Sequence, residues 1–480
     1  MQKHRTFGII ESPQNNYQPE VHAMNKNIPQ DHQNEKQISS SIRRFFVRFH
    51  ISSVLKASNA YKKKGTPVVE IFQYLFLLIF SNRSMYMDFL TGRNNPSFAK
   101  DTIYRFMKMA HINWIRFTTL LAAGIIRDAI APLDYKDRVN VLIIDDSLFD
   151  RSRSKKVELL SRVYDHAKHV YRYGFRMLTL GWSDGATFLP VSSLLLSSEN
   201  KKNRMNEAGE MDKRTCGYKR RVLSQTKGTE AMLELLKAAK TARIPADYVL
   251  FDSWFSSPKT LHTVKGIGYD IIAMIKKSSK MYFRYNGEDV PLTEVYKRNR
   301  KRPGRSKYLL SVMLDVIKDG ECVPAKVVYV RNRNKRKEYL CLISTDITLS
   351  EEEIIRIYGK RWDIEVFFKV CKSYLGLSRE CSALSYDAIT AHTAIVFARY
   401  MMLSVENRES RDERSLGELF LYFTDEMADI TWLEAFHLLM EMFRELLADT
   451  CGLSEDKIDE LMEAFMEALP SFLKLRLKAA

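Results

Sequence analysis

The chain has 480 residues, of which 45% are hydrophobic and 11% aromatic, so it can bury a sizeable core in more than one domain. Its formal net charge of +17 at pH 7 indicates a polyanionic partner, either nucleic acid or an anionic membrane. The six cysteines include no CxxC pair, which argues against a zinc knuckle or a disulfide framework and favours a reducing, cytoplasmic compartment.

The N-terminal third is expected to be a tail followed by a helical domain. Residues 1–40 are polar, without the apolar run of a signal peptide, and predict a disordered tail. Residues 41–135 have helical periodicity and predict a DNA-binding domain, because NPSFAKDTIYRFMK (95–108) resembles the second half of a helix-turn-helix. An ordinary core helix with a basic outer face is the alternative. The apolar run at 71–80 is too short to span a bilayer, so no membrane association is expected.

From residue 139 the pattern changes to that of an α/β core, assigned to residues 136–275. VNVLIIDDS, FRMLTLGWSDG and TFLPVSSLLL predict three strands, the last two forming a hairpin that turns at Asp184-Gly185. A helix at 230–242, a strand DYVLFDSWF, a helix SPKTLHTVKGI and a strand DIIAMIK follow. The order is therefore three strands, then helix, strand, helix and strand.

Charge is unevenly distributed over the second half of the chain. Residues 276–337 hold 18 Lys and Arg against 6 Asp and Glu, a net charge of +12, and residues 276–340 predict an inserted β-rich subdomain that touches phosphates. Its RNRKR cluster comprises Arg298, Arg300, Lys301 and Arg302. EYLCLISTD is expected to return the chain to the main sheet, and residues 341–404 to complete the core. Residues 405–480 are helical and acidic, with a net charge of −10, which argues against phosphate contact.

One predicted helix, 350–373, contains the segment YGKRWDIEVFFKVCK. At about 100° per residue, Tyr358, Arg361, Glu365 and Lys372 fall within roughly 60° of one another around the helix axis. Residues 366, 367 and 370, all apolar, are expected to form the buried face. A solvated stripe with spaced ion pairs is the alternative interpretation.

Acidic residues end two of the predicted strands. Asp145-Asp146 and Asp252 follow apolar runs, and Glu365 lies on the polar helix face. Strand ends in an open sheet converge on one edge, and carboxylates that converge there need a cation, which hard oxygen ligands select as Mg²⁺ or Mn²⁺. Two such ions can catalyse phosphodiester chemistry. Taken singly, each aspartate is also compatible with a turn or a helix cap.

These residues carry a resemblance to a known family. The spacing Y-(2)-R-(3)-E-(6)-K, met by Tyr358, Arg361, Glu365 and Lys372, resembles the signature of DDE transposases of the insertion sequence 4 family, with IIDDS and VLFDS upstream. The similarity covers roughly residues 140–400. It implies an RNase H-like mixed-sheet core with a β-rich insertion, flanked by helical regions, and cut-and-paste transposition at one Mg²⁺ site.

The resemblance also implies roles for individual residues. The first acid is matched to Asp146 because it precedes Ser147, as the family's acid precedes Ser or Thr; Asp145 remains a rival, since adjacent strand residues point to opposite faces. The second and third are Asp252 and Glu365, so Asp146, Asp252 and Glu365 are predicted to be catalytic and to bind two metal ions. Family members stack a flipped base on tryptophan, a role that matches Trp362, with helix packing as the alternative. Trp254 is expected to be a core residue.

The predicted function is that of a DNA transposase acting on double-stranded DNA, at transposon ends and target. The expected DNA contacts are Tyr358, Arg361, Trp362, Lys372, Arg300, Lys301 and Arg302. A homodimer in the synaptic complex and a location in the bacterial cytosol near the nucleoid are expected. A related metal-dependent nuclease without joining activity, and a non-catalytic DNA-binding descendant, remain alternatives.

Overall fold

The computed structural model describes residues 37–81, 85–91, 98–133, 138–165, 168–303, 306–332, 335, 338–377, 382–409, 415–449, 451, 453–471 and 473–474. The predicted tail therefore lies outside the described residues up to position 36. The first helix begins at Gln37, four residues inside the predicted tail.

The N-terminal part is helical, as the sequence predicts. Its helices α1–α6 are Gln37–Arg48, Ile51–Ala57, Val68–Leu77, Met85–Thr91, Lys100–Met107 and Trp114–Ile125. A single π-helical turn, Ile126–Ile130, continues the last of them. Helix α5 is the candidate recognition helix: Ile103 and Phe106 are buried, whereas Tyr104 and Arg105 are exposed. This alternation fits both a DNA-contacting helix and a core helix with a basic outer face.

The core contains the elements that position the candidate site. They are β1 Val141–Asp150, β2 Ser161–Asp165, β3 Val170–Ser183, β4 Phe188–Leu196, α7 Cys216–Ser224, α8 Gly228–Thr241, β5 Tyr248–Phe251, α9 Pro258–Ile267 and β6 Asp270–Ile275. The predicted hairpin is confirmed, because β3 pairs with β4 and Gly185 adopts a φ of 93° in the turn. Strand β2 was not predicted, because its segment SRVYD is short and lacks a long apolar run. Pairing with β3 holds it in the sheet.

The remaining elements are β7 Phe283–Tyr285, β8 Glu288–Val290, α10 Leu292–Arg298, β9 Tyr308–Lys318, β10 Glu321–Arg331, β11 Tyr339–Ser344, α11 Glu351–Gly359, α12 Trp362–Ser373, α13 Tyr386–Glu409, α14 Leu416–Asp449 and α15 Glu455–Ala468. The return of the chain to the main sheet is confirmed, because β11 pairs antiparallel with β6. The basic insertion is β-rich as predicted, and it also contains the short helix α10.

All the strands of the described residues belong to one mixed sheet of 11 strands. Its order is β2-β3-β1-β5-β6-β11-β10-β9-β7-β8, with β4 also paired to β3. Strands β1, β5 and β6 are parallel to one another and the other pairings are antiparallel. The sheet and its flanking helices confirm the predicted RNase H-like α/β fold. The insertion extends the core sheet beyond β11, because β10 pairs antiparallel with β11.

Helix α13 is the most deeply covered helix next to the sheet, with its residues buried from Tyr386 to Val405. It is long and apolar enough to cross a membrane, but the whole of its apolar window is covered by the fold, as for a core helix. Its buried Arg399 donates hydrogen bonds to the carbonyl oxygens of Leu75, Phe76 and Leu375. These bonds satisfy a charge that would be costly to bury alone.

The predicted helix 350–373 is interrupted, which corrects the expectation of one continuous helix. Helix α11 ends at Gly359 and α12 begins at Trp362. Between them, the N–H groups of Lys360 and Arg361 bond to carbonyls three residues back, at 3.0 Å each. Glycine weakens the helix at this point. The Lys360 ammonium then bonds to the carbonyl oxygens of residues 139 and 184, at 2.5 and 3.1 Å, and these bonds hold the turn.

Candidate active site

Two aspartates lie next to each other where the pairing of parallel strands β1 and β5 ends. Ile144 of β1 pairs with Phe251 of β5, so the next residues in register are Asp145 and Asp252. The apolar residues before them are wholly buried, which fixes both strands. The two carboxylates therefore lie just beyond the carboxyl end of the β1–β5 pairing. In this register both side chains point to the same face of the sheet.

Helix α12 supplies the third carboxylate on that face. Lys372 of α12 bonds to Ser147, which has the same orientation in β1 as Asp145. Asp363 accepts a hydrogen bond from Ser183 at 2.6 Å, so the first turn of α12 is also fixed to the sheet. Glu365 lies on the side of the helix that faces the aspartates, close enough for its charge to act on Asp145.

Arg361 connects two of the three carboxylates. Its Nη1 lies 2.6 Å from Asp145 Oδ2 and 3.5 Å from Glu365 Oε1. Only 19% of the Arg361 side chain is exposed. Burial lowers the pKa of the Arg361 guanidinium, but the neighbouring Asp145, Tyr358, Glu365 and Asp252 outweigh burial and the net direction is upward. Arg361 therefore remains a cation beside the acids.

Asp145 is strongly perturbed by its surroundings. The residue is 9% exposed. Burial raises its pKa to about 7; Arg361 acts in the opposite sense, while the charges of Glu365 and Asp252 raise it further. The carboxylates therefore act on one another, as expected of groups that converge on one point.

Asp146, the sequence-based choice for the first acid, points the other way. Because side chains alternate along β1, Asp146 shares the face of Ile144 and Leu148 and not that of Asp145. There it forms an ion pair with Arg176 of β3, which is opposite Leu148 in the register. The structure therefore brings Asp145, and not Asp146, together with Asp252 and Glu365.

The other two residues of the predicted motif lie along the same edge of β1. Burial raises the pKa of Tyr358; Arg361 opposes this change, and the charges of Asp252 and Asp145 add to it. The Lys372 ammonium lies 2.5 Å from Ser147 Oγ. Burial lowers the pKa of Lys372, while neighbouring acidic groups, Glu365 among them, act in the opposite direction. The four motif residues thus surround one site, although the helix that carries them is broken.

Three apolar or aromatic residues differ from expectation or resolve an open alternative. Val366 was expected to be buried but is 44% exposed, whereas Phe367 and Val370 are buried as predicted. Trp254 was expected in the core but is 50% exposed, because it lies in the turn after Asp252. Trp362 is 66% exposed, which argues against a helix-packing role.

The RNRKR cluster lies at the end of α10 and just after it, and its members are held differently. Arg298 pairs with Glu288 and Glu294, at 2.6 and 3.1 Å. Lys301 lies over the Tyr296 ring and Arg302 over the Tyr308 ring, at 4.7 and 4.3 Å from the ring centroids. Arg298 is therefore the member whose charge is most neutralised within the chain.

The carboxylates suit a divalent cation by their chemistry. Asp145, Asp252 and Glu365 offer hard oxygen ligands, and their mutual repulsion is of the kind that a bound cation relieves. Within the described ranges, no group of three or more His, Cys, Asp or Glu side chains is already close enough to hold a metal ion. Arg361, which contacts two of the acids, supplies positive charge there instead.

Sequence reasoning missed Arg176 and Ser147 as neighbours of the site. Arg176 lies within the apolar strand FRMLTL, and a cation in such a run needs a charged partner when it is partly buried. That requirement was the available signal for Arg176. Nothing in the local sequence distinguishes Ser147 as the partner of Lys372.

Comparison with known protein families identifies a match in the first two thirds of the chain. The family described as DDE superfamily endonuclease matches residues 75–321, just over half of the chain. The matched region includes Asp145, Asp146 and Asp252 and ends before Glu365. No curated protein matches the chain.

Proposed function

Because the chain belongs to the DDE superfamily endonucleases, we propose that it is a DNA transposase of the insertion sequence 4 type. It would bind terminal inverted repeats, cut the DNA strands and join the ends to target DNA. The observation that carries the proposal is the convergence of Asp145, Asp252 and Glu365 on one side of the sheet edge. Divalent metal ions and a DNA substrate are what the family implies.

Asp145, Asp252 and Glu365 would hold the metal, with Asp145 in place of Asp146. Two Mg²⁺ ions, or Mn²⁺, would activate a water or a 3′-hydroxyl and stabilise the leaving oxygen when bound. Arg361 lies beside this chemistry, since it contacts both Asp145 and Glu365 directly. Its planar guanidinium can exchange a carboxylate partner for a DNA phosphate, because both groups accept hydrogen bonds from the same pair of N–H donors.

The other motif residues position the DNA. Lys372 would hold a phosphate near Ser147, and Tyr358 would orient Arg361 from the buried side. Trp362, which is largely exposed, would stack on an extruded base. The RNRKR cluster and the rest of the basic insertion would bind the flanking duplex. A homodimer in the synaptic complex and action in the bacterial cytosol complete the proposal.

A cleavage assay tests the proposal. The substrate is an end-labelled duplex that carries the non-coding DNA found beside the gene, incubated with protein and Mg²⁺. Asp145→Ala, Asp252→Ala and Glu365→Ala should each abolish cleavage while leaving binding to the duplex largely intact. Normal cleavage by Asp145→Ala with none by Asp146→Ala would restore the sequence-based choice of Asp146. Cleavage by both would show that the acids of β1 are not part of the site.

The two alternatives have distinct outcomes in the same assay. A supercoiled plasmid added as target reports joining, so a nuclease without joining activity would cut the labelled duplex and leave the plasmid unlabelled. A non-catalytic DNA-binding descendant would bind the duplex and cut nothing with either Mg²⁺ or Mn²⁺. Asp145 and Glu365 contact Arg361, and Asp252 is near enough for its charge to act on it, which favours the catalytic interpretation.

A further inference from the structure

A cavity of about 600 Å³ lies beside β3, where the start of β2 and the end of β4 flank that strand. It is formed by β2, the end of β4, the start of α8 and the turn after β5. The residues that matter for its chemistry are Arg162, Tyr164, Tyr171, Arg176, Lys227 and Trp254. Its volume is within the range of small-molecule sites, about 300–1,000 Å³. We call it the Tyr171–Trp254 cavity.

Two aromatic walls face the cavity, each combined with a cation. On one side, Arg162 lies 4.2 Å from the centroid of Tyr171, whose ring meets Tyr164 edge-on at 5.1 Å. On the other, Trp254 has Arg176 at 5.0 Å and a lysine, residue 276, at 4.4 Å from its ring. Tyr171 is 60% exposed and Trp254 50% exposed, so both rings are accessible.

The charge of the lining favours an anion. Arg162 and Lys227 outnumber the one acid among the lining residues, Glu199, while the charge of Arg176 is paired with Asp146 of β1. Aromatic rings combined with cations are the features that bind unpaired nucleotides, because bases stack on the rings and phosphates pair with the cations. An apolar ligand would not need the cations, and a simple anion would not need the rings.

The cavity is adjacent to the candidate active site. Trp254 follows Asp252 by two residues, and its N–H donates to Asp252 Oδ1 at 2.8 Å. Arg176 forms an ion pair with Asp146 and also lies over the ring of Trp254, which lines the cavity. A DNA strand that passes Asp252 can therefore reach the cavity along the turn that contains Trp254.

We propose that the Tyr171–Trp254 cavity binds unpaired nucleotides of the DNA strand that continues from the cleavage point. The inference rests on the proposed function for its DNA substrate, but binding to the cavity does not require cleavage. It assigns Trp254 and Tyr171 as stacking residues, a role separate from that proposed for Trp362.

The test measures binding in EDTA, without metal and without cleavage. A fluorescent oligodeoxythymidylate and an abasic oligonucleotide of equal length are titrated with protein at several salt concentrations. The abasic probe keeps the phosphates and lacks the bases. Trp254→Ala and Tyr171→Ala should each weaken oligodeoxythymidylate binding by about 5- to 150-fold, the range for loss of one stacked base. Neither should change binding of the abasic probe.

Matched variants control for nonspecific effects. Trp254→Phe keeps an aromatic face and should restore most of the affinity. Tyr61→Ala removes a ring of similar exposure, 53%, outside the cavity and should have no effect. Equal losses in Tyr61→Ala and Tyr171→Ala, or equal losses for both probes, would overturn the inference. So would thymidine monophosphate binding as tightly as the oligonucleotide, because the cavity would then take a free nucleotide.

Failure of this inference is distinguishable from failure of the proposed function. If the cavity variants bind normally while Asp252→Ala loses cleavage, the transposase proposal survives and the cavity has no role in unpaired DNA. If the wild-type protein cuts no DNA but the cavity variants lose base-dependent binding, the reverse holds.

Discussion

Replacement of Asp145 by asparagine should change how stability depends on pH. Asp145 has a pKa of about 7 in the folded protein against an ordinary value of 3.8, mainly because it is buried. The folded protein therefore keeps a proton that the unfolded chain releases. The stabilisation by protonated Asp145 is present in full below the unfolded pKa and is lost as pH rises through the folded pKa. Asp145→Asn removes this titration.

The size of the effect follows from the two pKa values. A tenfold change in a proton-binding equilibrium is worth about 1.4 kcal/mol, so wild type should lose about 2 to 3 kcal/mol of unfolding free energy relative to Asp145→Asn between about pH 5 and about pH 8. All other titrating groups are shared by the two proteins, so their contributions largely cancel in the difference.

Urea unfolding of both proteins across this pH range, in EDTA, measures the difference. Asp289→Asn is the control: its carboxylate is exposed and its bond to Arg284 lowers its pKa, so it stays ionised throughout the range and its curve should parallel that of wild type. Added Mg²⁺ should stabilise wild type at high pH more than it stabilises Asp145→Asn. Parallel curves for wild type and Asp145→Asn would refute the reasoning and mean that Arg361 keeps Asp145 ionised.

Three further predictions concern the DNA contacts. Arg361→Lys keeps the charge but cannot contact both carboxylates or a phosphate bidentately, so single-turnover cleavage should fall by about tenfold or more; full activity would return the motif to an ordinary charged stripe. Neutralising the RNRKR cluster should reduce the slope of log K against log salt concentration for duplex binding by about one per lost phosphate contact, with Arg298 contributing least. An unchanged slope would mean that the cluster is a solvated loop. Trp362→Ala should leave the melting temperature unchanged and spare the first nick while impairing any hairpin step, as gel analysis of the products would report.

Local sequence patterns were sufficient for the type and order of most elements. Apolar β-branched runs that end in acid predicted β1 and β5, and the Asp184-Gly185 turn predicted the hairpin, because both depend on residues close together in the chain. Asp252 and Glu365 were predicted as site residues for the same reason, and both lie close enough to Asp145 for their charges to act on it. The polar motif Y-(2)-R-(3)-E-(6)-K was also readable, since spacing along a helix is a local property.

Tertiary contacts decided the rest. Whether Asp145 or Asp146 faces Glu365 depends on which side of β1 receives α12, and a one-residue difference reverses the face. The break at Lys360 depends on the carbonyl oxygens of residues 139 and 184. The exposure of Trp254 depends on the absence of an element that covers the turn in which it lies. Each of these depends on groups more than a hundred residues apart, or on the absence of a covering element, and neither leaves a periodic pattern in the sequence.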